Sequence, residues 1–387
     1  MAFLIQSKTL EQLKPKFDQA KQIIAAAIDT NRPIIIRHHA DCDGYAAGIA
    51  IEMVLMAKIG RLQSRRNIGR YIQRSPSRAP YYDIGDSIRD SMQALQSSNR
   101  FGKSLPLILI LDNGSSPEDL LGIRHGKAFG LEYIVIDHHP QAEDVITPEV
   151  LVHINPAFLG DTSFCAGMLA AELAGMIQPH TDQVYLAALA GIADRAQNPA
   201  YLEKSGIPES DFRHVVSVLN FMLSSMPGDV SEYVLKLFRP GPEQRDVVET
   251  FTPYVRKLEG RALAIAKKSA AHESIGSETF TTLDIGTTFP YSQYPKSGRI
   301  VGLLHDTITG PAVTIGHTSD SIIIRANDAS GFALHTFLAG LQKEEPDAFA
   351  EGGGHEHAGT VRFSPPQKER VMAYLKKYIS QYAGDGS

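Results

Sequence analysis

Pro33-Ile34-Ile35-Ile36-Arg37-His38-His39-Ala40-Asp41-Cys42-Asp43-Gly44 passes from apolar to ligand-type residues within a dozen positions. An apolar run breaks into two imidazoles and then two carboxylates spaced two apart. Acids and histidines just past a buried strand are poor packing material but good ligands for divalent cations. The design returns twice. Pro106-Leu107-Ile108-Leu109-Ile110-Leu111 runs into Asp112, and Tyr133-Ile134-Val135-Ile136 runs into Asp137-His138-His139. Three strands ending in this way are expected to converge at the carboxyl edge of a parallel sheet, where open α/β folds carry their sites.

The flanking segments fit such a sheet. Leu10, Leu13, Phe17, Ala20, Ile23, Ile24 and Ala27 have helical spacing over residues 8–29. A helix rich in small residues is expected from about Gly44 to Ala57, and another near 86–97. A fourth apolar run, Val150 to Ile154, leads into Asn155-Pro156, and helices follow at about 164–177 and 182–195. The alternation predicts a parallel sheet covered on both faces. Residues 1–200 therefore read as one α/β domain.

Over 201–275 the strand signal fades. Apolar residues recur at helical intervals through Phe212–Met222, Val230–Phe238 and Val247–Lys268, with Asp229 and Glu243 near expected helix starts. This reads as a helical connector. Residues 276–387 read as a smaller α/β domain. Strands are expected at Arg299–Leu304, Ala312–Gly316 and Ser321–Ala326, set off by the turns Thr309-Gly310-Pro311 and Thr318-Ser319-Asp320. A helix at about 332–342 precedes Glu351-Gly352-Gly353-Gly354-His355, and a last helix follows Ser364-Pro365-Pro366.

A length of 387 residues suits two domains, and 43% hydrophobic with 21% charged residues is a globular composition. No stretch is long and apolar enough to span a membrane, and the first residues carry no charged leader with an apolar core. Cys42 and Cys165 are the only cysteines, and Cys42 lies between two candidate ligands, which fits a reducing cytoplasm. A net charge of −5 excludes a generally polyanion-binding surface. One basic patch stands out: Arg61, Arg65, Arg66, Arg70, Arg74 and Arg78, without an acid and with Tyr71, Tyr81 and Tyr82 among or just after them. Guanidinium groups pair phosphates and tyrosines stack on bases, so Arg65, Arg66 and Arg70 are candidate contacts to single-stranded nucleic acid. Ser75-Pro76-Ser77 and Ala79-Pro80 read equally well as a solvated loop.

His39, Asp41, Asp43, Asp112, Asp137, His138, His139 and Asp194 are eight metal-type side chains, Asp194 closing the small-residue run Ala190-Gly191-Ile192-Ala193. Singly, each is more simply a cap or turn residue. At three strand ends together they are not. Oxygen and imidazole donors without thiolates suit Mn²⁺ or Mg²⁺ better than structural zinc. The number of acids favours two ions about 3.5–4 Å apart sharing a carboxylate. Asp112, on the expected central strand, is the candidate bridge.

These motifs resemble the DHH phosphoesterase superfamily. Asp137-His138-His139 is similar to its signature, His39-x-Asp41-x-Asp43-Gly44 to its first motif, Asp112-Asn113-Gly114-Ser115 to its second and Asp194 to its fourth, in order and spacing. Residues 276–387 resemble the associated DHHA1 domain through Gly352-Gly353-Gly354-His355 and the strand Ile322-Ile323-Ile324-Arg325. The resemblance implies a RecJ-like enzyme with two Mn²⁺ or Mg²⁺ ions. It implies Asp41, Asp43, Asp112, His138 and Asp194 as ligands, joined by His39. Asp137 and His139 would orient ligands or bind the phosphate. Arg325, Gly353, Gly354 and His355 would bind substrate phosphate, since consecutive glycines let backbone N–H groups approach an anion. Ala358-Gly359-Thr360 departs from the usual sequence after the glycines. Without the OB fold and other domains of bacterial RecJ, the chain looks more like compact archaeal RecJ-like proteins or the nanoRNase and pAp-phosphatase branch.

Three functions compete. The first is a metal-dependent exonuclease on single-stranded DNA or RNA. The second is a phosphodiesterase or phosphatase for short oligonucleotides, cyclic dinucleotides or 3′-phosphoadenosine 5′-phosphate. The third is a replication scaffold without activity, against which the complete set of acids argues. Replication or repair proteins are the protein partners to expect, and no membrane partner is expected.

Overall fold

A computed structural model, describing residues 3–60, 69–77, 79, 81–102, 104–141, 143–180, 182–196, 198–225, 231–290 and 294–382, builds the first part of the chain on five parallel strands. Arg65 and Arg66 lie outside the described residues, as do Arg61, Arg78 and Asp229. The chain forms two units, Met1–Leu223 with Pro227–Thr250, and Ser224–Met226 with Phe251–Ser387.

In the first unit, helix α1 (Lys8–Asp29) is followed by β1 (Ile34–His38), α2 (Cys42–Ile59), β2 (Ile72–Pro76), α3 (Ile84–Phe101), β3 (Leu107–Leu111), α4 (Pro117–Ala128), β4 (Glu132–Ile136) and β5 (Val152–Ile154). Helices α5 (Ala166–Ile177), α6 (Asp182–Asp194), α7 (Ala200–Ser205), α8 (Glu209–Ser225) and α9 (Ser231–Leu237) follow, and α10 (Pro242–Ser269) carries the chain into the second unit. The strand order is β2-β1-β3-β4-β5, with Ile34 level with Ile72 and Leu107. Strands β1 and β3 are buried along their whole length, as expected for sheets covered on both faces. Ile35, Ile108, Ile110 and Val135 pack with Ala94 of α3 and Ile123 of α4. Alternate residues point the other way, so that His38 meets Gly48 of α2.

In this unit β2 and α4 depart from the sequence expectations. Strand β2 lies inside the arginine segment, where Ser75-Pro76 also reads as loop. It is an edge strand, the place where a sheet tolerates proline. Its Arg74 is ion-paired with Glu52, Nε to Oε2 at 2.8 Å. Helix α4 carries its own start signal, Ser116 and Asp119 forming a reciprocal capping box with Pro117 in the first turn.

The second unit contains β6 (Ala271–Ile275), β7 (Glu278–Asp284), α11 (Ile285–Thr288), α12 (Ser297–His305), β8 (Ala312–His317), β9 (Ser321–Ala326), α13 (Leu334–Glu344), β10 (Glu351–His355), β11 (Ala358–Arg362) and α14 (Lys368–Tyr382). The sheet order is β10-β11-β9-β8-β7-β6. Arg299–Leu304, expected as a strand, is helix α12. Strands β7 and β8 are parallel, so a crossover must join them, and α12 lies in it. Ile300, Val301 and Leu304 have the one-three spacing of a helix face and pack with Leu283. The glycine run forms β10, an edge strand paired antiparallel with β11. A β-carbon on Gly352 or Gly354 would come within 2.2 or 2.3 Å of a β11 carbonyl oxygen, so these two glycines permit the close pairing.

Candidate metal centre

The carboxyl edge of the first sheet gathers all eight acid and imidazole side chains named above. His39 follows β1, and its Nδ1 is 3.1 Å from Asp41 Oδ2 and 3.6 Å from Asp112 Oδ2. Asp41 caps α2, Oδ1 accepting from Gly44 N at 2.9 Å. A β-carbon on Gly44 would lie 2.3 Å from the His39 carbonyl oxygen, so this loop closes only around glycine. Asp43, in the first turn of α2, turns its carboxylate to the start of α5, accepting from Ala166 N at 3.0 Å and Gly167 N at 2.8 Å. The unsatisfied N–H groups of a helix start hold an anion in place.

Asp112 leaves β3 in the left-handed region, φ 59°, a conformation that non-glycine residues adopt at a cost and often at functional sites. His138, after β4, stands in the middle. Its Nε2 is 3.3 Å from Asp112 Oδ1 and 3.8 Å from Asp43 Oδ2, and its Nδ1 is 3.7 Å from Asp194 Oδ2 at the end of α6. His139 Nδ1 is 2.8 Å from Asp137 Oδ1. His38 turns away from this group: it is buried, with Nδ1 2.6 Å from the His39 carbonyl and Nε2 3.2 Å from Arg74 Nη1.

The charges are unevenly stabilised. Burial pushes Asp112 up to about 7, with the Asp41 charge adding to it. Burial also raises Asp43 well above the carboxylate range, helped by Asp112 and Asp194. Burial opposes charge on His39 and His139, but the adjoining carboxylates outweigh it, lifting His39 to about 11 and His139 to about 10. Asp137 stays low despite burial because His139 pairs with it. The centre thus carries buried carboxylates that lack enough positive charge.

A divalent cation fits this arrangement. Asp112 Oδ2 is buried without a hydrogen-bond partner among the described residues. Asp112, Asp137, His138 and His139 can each offer a ligand atom within 4.8 Å of the others, and so can His39, Asp41 and Asp112. The two groups share Asp112, and every donor is oxygen or imidazole nitrogen, a set suited to Mn²⁺ or Mg²⁺.

In the sequence the Ala166 and Gly167 amides that hold Asp43 are marked only by a small-residue helix start. Ser115, His153 and Asn155 carry no sequence signal of a role. In the second unit, Arg325 lies on β9, level with Ala358 of β11, and its Nη1 donates to the Ile324 carbonyl at 2.8 Å. His355 ends β10, and a β-carbon on Gly353 would meet nothing within 4 Å. Arg70 precedes β2, at the end of the sheet away from the acid cluster, with the length of a five-residue strand, about 17 Å, between them.

Residues 33–192 match the family model described as the N-terminal domain of the DHH family. An uncharacterized protein of Methanocaldococcus jannaschii is 32% identical over 430 residues, an alignment that takes in 97% of this chain. The chain spans 55% of the length of that curated relative. A solved structure, the DHH domain of a member of a family of ribosomal proteins, is 31% identical with a TM-score of 0.92, over 99% of this chain and 94% of that one. RecJ of Thermus thermophilus in complex with Mn²⁺ gives a TM-score of 0.66 at 15% identity, over 95% of this chain and 55% of that one, a likeness of fold.

Proposed function

The chain belongs to the DHH family and shares the fold of RecJ, and on that premise we propose that it is a metal-dependent phosphodiester hydrolase, an exonuclease on single-stranded DNA or RNA. The observation that carries this reading is the sharing of Asp112 by two groups of metal-type ligands, with its Oδ2 buried and lacking a hydrogen-bond partner among the described residues. His39, Asp41, Asp43, Asp112, His138 and Asp194 would hold two Mn²⁺ or Mg²⁺ ions. Such a pair supplies an activated water and stabilises the leaving oxygen of an in-line displacement.

The chain's own groups set the stage. The Ala166 and Gly167 amides fix the Asp43 carboxylate, and the left-handed turn at Asp112 aims the shared carboxylate. Asp137 holds His139 by Nδ1 and keeps it protonated, so that His139 can donate to a phosphate oxygen. In the second unit, Arg325, His355 and the backbone at Gly353 and Gly354 would bind substrate phosphate. Arg65, Arg66 and Arg70 would follow a longer strand.

The net charge of −5 favours a second reading, hydrolysis of short oligonucleotides, cyclic dinucleotides or 3′-phosphoadenosine 5′-phosphate. A length series of labelled oligonucleotides, from dimer to about 30-mer, separates the two. Rates that rise with length support the exonuclease; rates highest on dimers support the short-substrate enzyme. No hydrolysis of any member, nor of a cyclic dinucleotide or 3′-phosphoadenosine 5′-phosphate, with Mn²⁺ or Mg²⁺ refutes both and leaves a scaffold that joins replication or repair proteins. A cytoplasmic setting suits all three. Among the described residues no helix is long and apolar enough to cross a membrane.

A further inference from the structure

Ser115, His153 and Asn155 are buried next to Asp137 and have no part in the hydrolysis described above, each being at most 2% exposed. Ser115 lies in the turn after β3, His153 on β5, and Asn155 just past the end of β5. Asn155 Nδ2 donates to Ser115 Oγ and to the His139 carbonyl, both at 3.0 Å. Asn155 Oδ1 accepts from Ala157 N at 2.9 Å, which orients the amide. His153 Nε2 is 2.8 Å from Ser115 Oγ, and His153 Nδ1 is 2.8 Å from Thr147 Oγ1. Each hydroxyl in turn stands beside a carboxylate, Ser115 beside Asp137 and Thr147 beside Asp144.

A neutral imidazole has one N–H to give. Burial keeps His153 neutral, pushing it down to about 4. It can therefore donate to one hydroxyl only, and that hydroxyl is the one set free to donate to its own carboxylate. The two carboxylates compete unequally. Asp144 Oδ1 also stands 3.7 Å from His153 Nδ1, beyond hydrogen-bond reach, and its side chain is 34% exposed and already accepts from Thr147 N at 2.9 Å and Ile146 N at 3.3 Å. Asp137 is 1% exposed, so water cannot replace a donor missing there. An unmet buried carboxylate is the more costly of the two.

We propose that His153 carries its proton on Nε2 and donates to Ser115, that Ser115 donates to Asp137, and that this chain, with Asn155 holding the His139 carbonyl, positions His139. Asp137 then receives donors from both sides, Ser115 and His139 Nδ1, and can hold the His139 ring in one orientation. Ser115, His153 and Asn155 are positioning residues, acting on the reaction through His139. Their kinetic effect rests on the hydrolase reading; the placement of the proton does not.

Long-range ¹H–¹⁵N spectra of the full-length protein, labelled on histidine nitrogen and kept in EDTA near neutral pH, read the tautomer. The expected result is Nε2–H at His153, shifting toward Nδ1–H in Ser115→Ala. Nδ1–H at His153 in the unmodified protein overturns the proposal. With Mn²⁺ and a single-stranded oligonucleotide, Ser115→Ala and His153→Phe should each lower kcat about tenfold and change KM less than about twofold. The double variant should be no slower than the slower single variant, because each breaks the same chain. His153→Gln, which retains an N–H toward Ser115, should recover most of the rate. Losses that multiply in the double variant, or a His153→Gln variant that folds but is as slow as His153→Phe, overturn the proposal. An unmodified protein that hydrolyses nothing refutes the hydrolase reading, and the spectra alone then decide this one.

Discussion

Asp112→Asn should stabilise the metal-free protein while abolishing its activity. Burial and the Asp41 charge lift Asp112 from 3.8 to about 7 in the folded state. A rise of about three pH units at about 1.4 kcal/mol each amounts to about 4 kcal/mol. The folded state holds this proton more tightly than the unfolded state, so stability is highest below the unfolded value. It falls as pH rises from about 4 to 7, and the whole penalty is present above pH 7. Asparagine carries no charge at any of these values. It gives up the attraction to His39, which leaves a net gain of about 2–4 kcal/mol near pH 8. For a unit of this size that is about 5–10 °C in Tm. Thermal unfolding in EDTA near pH 8 and near pH 4 measures it, and the gain should vanish at the lower pH. Adding Mn²⁺ should then raise the Tm of the unmodified protein much more than that of the variant, because the shared ligand is gone. A variant no more stable than the parent in EDTA near pH 8 would refute the electrostatic reasoning. Near-normal turnover by the same variant would refute the shared-carboxylate site.

EDTA should abolish hydrolysis, and Mn²⁺ or Mg²⁺ should restore it; turnover that persists after exhaustive chelation and dialysis rules out metal dependence. Gly167→Ala would put a β-carbon 2.4 Å from the Ala190 β-carbon and 2.8 Å from Asp43 Oδ1, so a loss of about 1–3 kcal/mol in stability and at least about tenfold in kcat is expected, read by denaturant unfolding and steady-state rates. Glu172, buried and raised to about 7, gives the parent a stability that falls by about 3 kcal/mol as pH climbs from about 4.5 to 7, and Glu172→Gln should flatten that slope in urea titrations at several pH values. Arg325→Ala should raise KM more than it lowers kcat if Arg325 binds substrate phosphate, and an unchanged affinity for product nucleotide would exclude that role. Replacing Arg65, Arg66 and Arg70 by Ala should weaken binding of long strands and flatten its salt dependence while sparing dinucleotides; equal losses on both would mean that the segment shapes the active site.

Four of the five strands of the first sheet, and the acids and histidines at its carboxyl edge, are legible in the order of residues. Buried parallel strands need unbroken apolar runs, so Ile34–Ile36, Leu107–Leu111 and Ile134–Ile136 announce themselves. The acids that follow are costly to bury without partners, so they point to a site. Strand β2 escaped because an edge strand needs apolar residues on one face only and tolerates Pro76. Helix α12 escaped because a short apolar run looks alike in strand and helix; the parallel pairing of β7 and β8, a long-range fact, settles it. Which groups hold the acids follows from the folded chain alone. Ala166 and Gly167 reach Asp43 across more than a hundred residues of chain, and His153 meets Ser115 across 38. Hydrogen bonds of that kind depend on distance in space, and spacing along the chain carries no record of them.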